Sequence, residues 1–490
     1  MKCKPIFLPS FGMRMSLLVF AILLFGSFLR APLYSQLPTA VEIAGRMTIG
    51  WNIGNSLEVP SGETDWGNPG INQDLIDAVA DAGFNTIRIP CSWDSHADPT
   101  TLEIDYSYID RVAEVVEYCY DNDLYIIINC HWDGGWLENN VTEAAQEEVN
   151  RKQEAYWTQI ADYFMDYDEY LLFAGTNEPN VDTPAQMDIM MSYHQTFIDA
   201  VRATGGNNSS RVLIIQGPTT DIDKTNQWMS SMPTDQIENR LMFEIHYYTP
   251  WNFCGMTRDE SWGKMFYFWG KDYHSTTNPE RNATWGEEST VESLFQSMKT
   301  RFVDKDIPVI MGEYSAVKRL SLAGNDLELH IASREYFYRY VTNAAVRYGM
   351  IPIYWDNGIY GNNQAALFDR HDGEIVDPGA VEALMLGLSE ASPVDEKQEN
   401  QKSSFLNSLN ALPNPVSNTT QIQLNLEKAE PVNISIVNIL GQEVACFDNL
   451  YFSRGINRVT WNADHLPAGP YFVKVMNEEH MFMKKVTVMH

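Results

Sequence analysis

The sequence predicts an α/β protein, a (β/α)8 TIM barrel followed by a small all-β sandwich, and three observations carry that reading. Between Met47 and Leu388 short apolar runs alternate eight times with stretches of helical length, the pattern of a closed parallel sheet with crossover helices. From residue 391 to 410 the chain turns to Ser, Asp, Glu, Lys, Gln and Asn, a composition that cannot bury a core and reads as a linker. Beyond it, short runs alternate apolar and polar residues with period two, as the strands of a β-sandwich do. A length of 490 residues leaves room for two or three domains, and the boundaries expected are 36–390 for the barrel, 391–410 for the linker and 411–490 for the sandwich. There are no internal repeats.

The barrel strands follow in order. Met47–Asn55 is a strand entering a glycine-punctuated loop, and Asn72–Ala82 is a helix ended by Gly83. Phe84–Pro90 is the second strand, with one cation, Arg88, near its end; a helix over Tyr106–Asp121 leads to the third, Leu124–His131. A long helix over Thr142–Asp166 precedes Leu171–Ala174, a fully apolar run that stops at Asn177, Glu178 and Pro179, as a buried parallel strand does. Helix Ala185–Ala203 leads to strand Arg211–Gln216, and the sixth strand is Leu241–Tyr248. Helix Thr290–Val303, strand Ile307–Tyr314, helix Glu328–Tyr348, strand Met350–Asn357 and helix Pro378–Leu388 complete the series. In the sandwich the strands are Gln421–Leu426, Val432–Val437, Leu440–Val444, Gly455–Trp461, Gly469–Val475 and Lys484–Val488.

At the N-terminus Lys2, Lys4 and Arg14 precede the apolar run Ser16–Leu29, too short for a membrane span and suited to a signal peptide over residues 1–35. The mature protein is then expected to be secreted or held at the cell surface, with no transmembrane anchor after the signal is removed. Net charge is −31, which repels phosphate backbones and excludes nucleic acid as a partner. Cysteines stand at 3, 91, 119, 130, 254 and 446 without CxxC spacing; neither a disulfide framework nor a zinc site is indicated, and a buried free thiol is expected for each mature one. A monomer is expected.

Barrels of this type keep their chemistry at the carboxyl ends of the strands. The polar and aromatic residues there are Asn55, Arg88, His131, Asn177, Glu178, His246, Tyr248, Glu313 and Trp355. Singly, each has an ordinary structural explanation, an ion pair for Arg88 or a core histidine for His131 and His246; together they converge on one mouth. Glu178 and Glu313 supply the paired carboxylates that glycoside hydrolysis needs, one to protonate the leaving oxygen and one to attack the anomeric carbon or activate water. Arg88 and Tyr248 are placed to keep Glu313 ionised, while Glu178 needs a setting that keeps it protonated. Asn177 can donate to a sugar 2-hydroxyl and Trp355 offers a flat face for a pyranose ring. The alternative of a metal-dependent barrel enzyme fits poorly with Arg88 and Tyr248 in the same mouth.

Six motifs in order, Gly50–Asn55, Asn85–Pro90, Asn177–Pro179, His246–Tyr248, Gly312–Tyr314 and Trp355–Gly358, resemble glycoside hydrolase family 5, the cellulase family of clan A, over roughly Pro38 to Leu388. The resemblance implies a retaining endo-β-1,4-glucanase acting on cellulose or a related β-glucan, with no metal and no organic cofactor. By position it makes Glu178 the catalytic acid/base, Glu313 the nucleophile, and Asn55, Arg88, His131, Asn177, His246, Tyr248 and Trp355 the substrate-binding shell. Xyloglucanase, lichenase or mannanase activity is the alternative within the family; a surface protein that binds glycan without cutting it is the alternative outside it. One departure is visible, since His131 is followed by Trp132 where many relatives carry a second histidine; Trp132 and Trp136 are then candidates for stacking on sugar.

The aromatic loop Thr249–Glu287 fits both a substrate-cleft wall and a self-packed loop. The last 80 or so residues, with Leu412–Pro415, Asn438–Gln442, Leu466–Phe472 and the basic strand Met481–Val488, resemble the sorting domain of the type IX secretion system of Bacteroidetes, which implies that secretion machinery as a partner. A carbohydrate-binding module is the competing reading of the same sandwich.

Overall fold

The computed structural model describes residues 37–391, 406–412, 416–426, 428–438, 443–477 and 481–489; the expected signal segment and most of the expected linker lie outside them. The chain divides into two compact units at Ser392/Pro393. In the first, strands β1 (Gly50–Ile53), β2 (Thr86–Ile89), β3 (Tyr125–Asn129), β4 (Leu171–Ala174), β5 (Leu213–Gln216), β6 (Leu241–His246), β7 (Val309–Tyr314) and β8 (Met350–Asp356) close a parallel barrel in sequence order, β8 pairing back to β1. Each strand is followed by a helix: Gln73–Asp81, Tyr106–Tyr120, Gln146–Tyr163, Pro184–Thr204, Ile222–Trp228, Glu288–Arg301, Asn325–Arg347 and Pro378–Ala391. The helix Ile222–Trp228 has no counterpart in the sequence reading. It is short, and its start is fixed by the Asp221 carboxylate accepting the Lys224 N–H at 2.7 Å.

Period-two alternation divides the strand residues between two cores. Ile127, Leu172, Ala174, Ile214, Met242, Ile310, Ile351 and Ile353 fill the barrel interior, whereas Ile87, Ile89, Ile126, Ile128, Phe173, Phe243 and Ile245 pack outward among the helices. The interior is closed below by the helix Ala40–Ala44, also unanticipated, whose Ala40 and Ile43 join the interior cluster together with Met47. A reciprocal cap between Thr39 and Glu42 starts that helix. No described helix is long and apolar enough to cross a membrane.

The second unit pairs two antiparallel sheets: β13 (Gly455–Asn462), β10 (Thr419–Leu426) and β9 (Leu406–Leu412) in one, β12 (Glu443–Phe452), β11 (Glu430–Asn438), β14 (Gly469–Met476) and β15 (Met481–Val488) in the other. Ile422, Leu424, Ile434, Ile436, Trp461, Val473 and Val486 form its core. The linker expectation is corrected at its end, since Leu406–Leu412 pairs along β10 despite its Asn and Ser content. Cys91, Cys119, Cys130 and Cys254 are buried free thiols as expected, but Cys446 is exposed.

Candidate active site

The interior face of the strands becomes polar at their carboxyl ends, and Arg88 is its centre. It is fully buried on β2, and its guanidinium reaches Glu244 Oε1 at 3.0 Å and Glu313 Oε1 at 3.1 Å. It also donates to Asn52 Oδ1 at 2.9 Å and Asn177 Oδ1 at 2.8 Å. Four strands are thereby tied to one planar cation, a task suited to a forked guanidinium and not to an ammonium. Arg88→Lys is expected to lower unfolding free energy by about 3–5 kcal/mol, because Glu244 and Glu313 keep buried charges without full compensation. Urea unfolding checks this, and a loss below about 1 kcal/mol contradicts it.

Glu313 accepts from Tyr248 Oη at 2.9 Å on its other oxygen and lies 3.6 Å from His246 Nδ1. His246 Nδ1 donates to Glu178 Oε1 at 2.6 Å, and its Nε2 stands 3.4 Å from Glu244 Oε1. Burial opposes a charge on this ring, but the Glu313, Glu178 and Glu244 carboxylates prevail and push it up to about 10, so that it is an imidazolium at neutral pH. Glu178 Oε, Glu313 Oε and a His246 ring nitrogen all lie within 4.8 Å of one another. The two carboxylates differ in access: the Glu178 side chain is 38 % exposed and the Glu313 side chain 7 %.

The protonation order expected from sequence is reversed in this free site. Burial, aided by the charge of Glu178, lifts the Glu313 carboxyl above its ordinary range despite His246, Arg88 and Tyr248. Burial also acts upward on Glu178, but the hydrogen bond and charge of His246, with Arg88 behind it, hold that carboxyl low. The proton that an acid at Glu178 needs therefore rests on His246, one hydrogen bond away.

The spacing of Glu178, His246 and Glu313 would accommodate a metal ion, but the donor set does not suit one. The imidazole is protonated, and both Glu313 oxygens already accept from Arg88 and Tyr248.

Of the remaining expected residues, His131 lies two residues past β3 with its ring stacked on Trp355, centroids 5.6 Å apart and planes 5° apart. Burial, Arg88 and His246 keep it neutral. Trp355, half-buried on β8, and Asn177, buried beside Glu178, also face the mouth. Asn55 is not drawn into this network: it lies in a left-handed turn (φ 57°) whose backbone is held by Glu58 and Asn68. Asn52, three residues earlier, takes the inward position, donating to the carbonyls of Gly312 and Tyr354.

The sequence reading missed Asn52, Glu244 and Glu138. Glu244 is legible by alternation, because it is two residues from His246 on β6 and so shares its face. Its carboxylate lies where a Cβ on residue 312 would go, which explains the glycine of Gly312–Glu313–Tyr314. Glu138 sits in the loop after β3, where no periodicity points to it.

The loop after β6 is packed down along part of its length and leaves two of its rings exposed. Phe253, Phe266, Phe268 and Trp269 are buried anchors, while Trp251 and Trp262 are exposed. Arg319, 2 % exposed, holds the loop from below through the carbonyls of Met256 at 2.7 Å, Asn252 at 3.1 Å and Phe253 and Phe266 at 3.2 Å. Trp132 is exposed, whereas Trp136 packs edge-on against Tyr156 with Lys152 over its ring, and so anchors its own loop.

Comparison with known proteins agrees with this geometry. Residues 52–361 match the family model described as cellulase (glycosyl hydrolase family 5), and residues 410–489 match a secretion system C-terminal sorting domain. The chain is 37 % identical over 373 residues to a xyloglucan-specific endo-β-1,4-glucanase of Bacteroides ovatus, covering 72 % of this chain and 70 % of that one. It is 35 % identical to an endoglucanase A of Paenibacillus barcinonensis, covering 71 % and 90 %. Among solved structures, a xyloglucan-specific β-1,4-glucanase from a ruminal metagenomic library superposes with a TM-score of 0.66 at 39 % identity, covering 72 % and 97 %. A broad-specificity endoglucanase of Bacteroides salanitronis does so with a TM-score of 0.64 at 35 % identity, covering 72 % and 97 %. The chain therefore belongs to glycoside hydrolase family 5, as an endoglucanase that carries a secretion-system sorting domain at its C-terminus.

Proposed function

We propose that this endoglucanase cleaves internal β-1,4 bonds of xyloglucan-type β-glucans with retention of configuration, Glu178 acting as acid/base and Glu313 as nucleophile. The observation that carries the reading is the approach of the two carboxylates to within 4.8 Å at the barrel mouth. Retaining enzymes hold their carboxyl groups about 5–5.5 Å apart, whereas inverting enzymes need about 6.5–9.5 Å to admit a water.

In the first step a sugar covers the exposed part of Glu178 and removes water from it, which raises its affinity for a proton and draws one from His246 Nδ1. Glu178 passes that proton to the glycosidic oxygen as the C1–O bond breaks, and a Glu313 oxygen bonds to C1. Arg88 and Tyr248, which steady the attacking carboxylate, hold its geometry as its charge is spent. Neutralising Glu313 removes a like charge from beside Glu178, which stays ionised after giving up its proton, takes a new one from the water that attacks C1 and returns it to His246 Nδ1. The C1–Glu313 bond breaks, and two inversions give net retention.

The xyloglucan preference is supported by the two xyloglucan-specific enzymes among the similar proteins above and by exposed rings on loops at the same barrel end: Trp66 after β1, Trp132 after β3, Trp251 and Trp262 after β6 and Tyr360 after β8. Rings spread around the mouth suit a branched chain with contacts beyond its backbone. The sorting-domain match supports export across the outer membrane to a secreted or surface location. Mass spectrometry of products from xyloglucan, carboxymethylcellulose, mixed-linkage glucan, glucomannan and xylan tests the substrate. Xyloglucan oligosaccharides are expected, with kcat/KM at least about tenfold above that on carboxymethylcellulose. A reversed order contradicts the branched-substrate reading.

A further inference from the structure

The reaction above gives no task to Glu138, a buried carboxyl beside the acid/base. It lies on the short turn Glu138–Asn140 after β3, 6 % exposed. Its Oε1 accepts the backbone N–H of Glu178 at 2.7 Å, and its carbonyl accepts the N–H of Asn180 at 3.0 Å. Asn139 Oδ1 takes the Asn180 side-chain amide at 2.8 Å, and Tyr193 Oη donates to the Asn140 carbonyl at 2.9 Å. The loop after β3 thus brackets the segment that carries Glu178, and the residue nearest the acid/base contributes a carboxyl where a neutral acceptor would make the same hydrogen bond.

We propose that Glu138 is a positioning residue for the acid/base, fixing the Glu178 main chain through this bracket and holding the proton on the hydrogen-bonded Glu178–His246 pair by its own negative charge. The inference rests on Glu178 being the acid/base.

The surroundings fit that task. Burial, with the charge of Glu178, pushes the Glu138 carboxyl up to about 7, so it gains its charge across the neutral range. The groups facing it are Glu178 and Asn177 from the β4 loop and Glu313 from β7. On its own loop, Asp133 is turned to Ser95 and the N–H of Asp94, and burial keeps the Cys130 thiol neutral. The nearby cations are engaged elsewhere, Arg88 with Asn52, Asn177, Glu244 and Glu313, and His246 with Glu178 and Glu244. A negative charge disfavours loss of a proton from groups beside it, so as pH rises through about 7 an anionic Glu138 keeps the proton shared by Glu178 and His246 in place to higher pH.

Glu138→Gln keeps the acceptor and removes the charge. Its alkaline limb of kcat/KM on polysaccharide is expected to move towards acid by about half to one pH unit. Its kcat/KM on a dinitrophenyl cello-oligoside, whose leaving group needs no proton, should change less than about twofold. Glu138→Ala, which also loses the bracket, should show the same limb with kcat lowered further. A limb in Glu138→Gln that coincides with the parent overturns the inference. Glu178→Gln, run alongside, separates the two readings: if it abolishes the alkaline limb while Glu138→Gln leaves it in place, only the role of Glu138 fails; if it leaves the limb intact, the acid/base assignment fails. Carboxyl-13C glutamate NMR of the parent protein is independent of how the variants fold. The Glu178 signal should carry a second titration step near pH 7, and a single-step curve overturns the inference.

Discussion

Glu313→Ala is expected to lower kcat on polysaccharide about 10^5- to 10^6-fold, the loss seen when a nucleophile is removed from a machine of interdependent residues. Glu313 has no understudy. Glu178 is more exposed and bonded to His246, and Glu244 is locked against Arg88 and Gln216 with no opening to the mouth. The space left by the side chain lies where an attacking atom belongs, so azide with an activated aryl β-glycoside should restore turnover and yield the α-glycosyl azide. Substantial activity of Glu313→Ala without added anion would remove Glu313 from the mechanism.

Glu178→Ala should lose about 10^2- to 10^4-fold on polysaccharide, where the leaving sugar needs a proton, and far less on a dinitrophenyl glycoside, where it does not. Glu313 still forms the glycosyl-enzyme in this variant, so azide attacks from the opposite face and the product is the β-glycosyl azide. The two variants therefore differ in the anomer they release as well as in rate. An equal loss on both substrates would mean that Glu178 acts on binding or structure and not on proton transfer.

The eight-strand barrel was legible because each buried strand is a short apolar run ended by Gly, Pro or a polar residue, and every expected strand overlaps one that forms. Alternation along those strands also marks Asn52 and Glu244 as inward residues. Alternation misleads at Glu313. Ile310 faces the barrel interior and Met311 the helices, so a regular strand would turn Glu313 outward. β7 instead carries one residue more than either neighbour after Met311, since Glu313 pairs with His246 where Met311 pairs with Ile245, and Tyr314 with Tyr354 where Met311 pairs with Pro352, and this irregularity aims the carboxylate at the mouth. The family motif found Glu313 where periodicity could not.

Two other features lie beyond sequence patterns. The reversed protonation of the pair depends on His246 standing closer to Glu178, at 2.6 Å, than to Glu313, at 3.6 Å, a distance no spacing encodes. Glu138 reaches Glu178 from an irregular loop, 40 residues earlier in the chain, because β3 and β4 are neighbours in the closed sheet.

The central claim is double displacement at the Glu178–Glu313 pair, and the anomeric configuration of the first product tests it most directly. Proton NMR of a cello-oligosaccharide or xyloglucan oligosaccharide digest, recorded before mutarotation, should show the β-anomer first, with the α-anomer growing only as the sugars equilibrate. The α-anomer appearing first would mean a single displacement by water and would contradict the account.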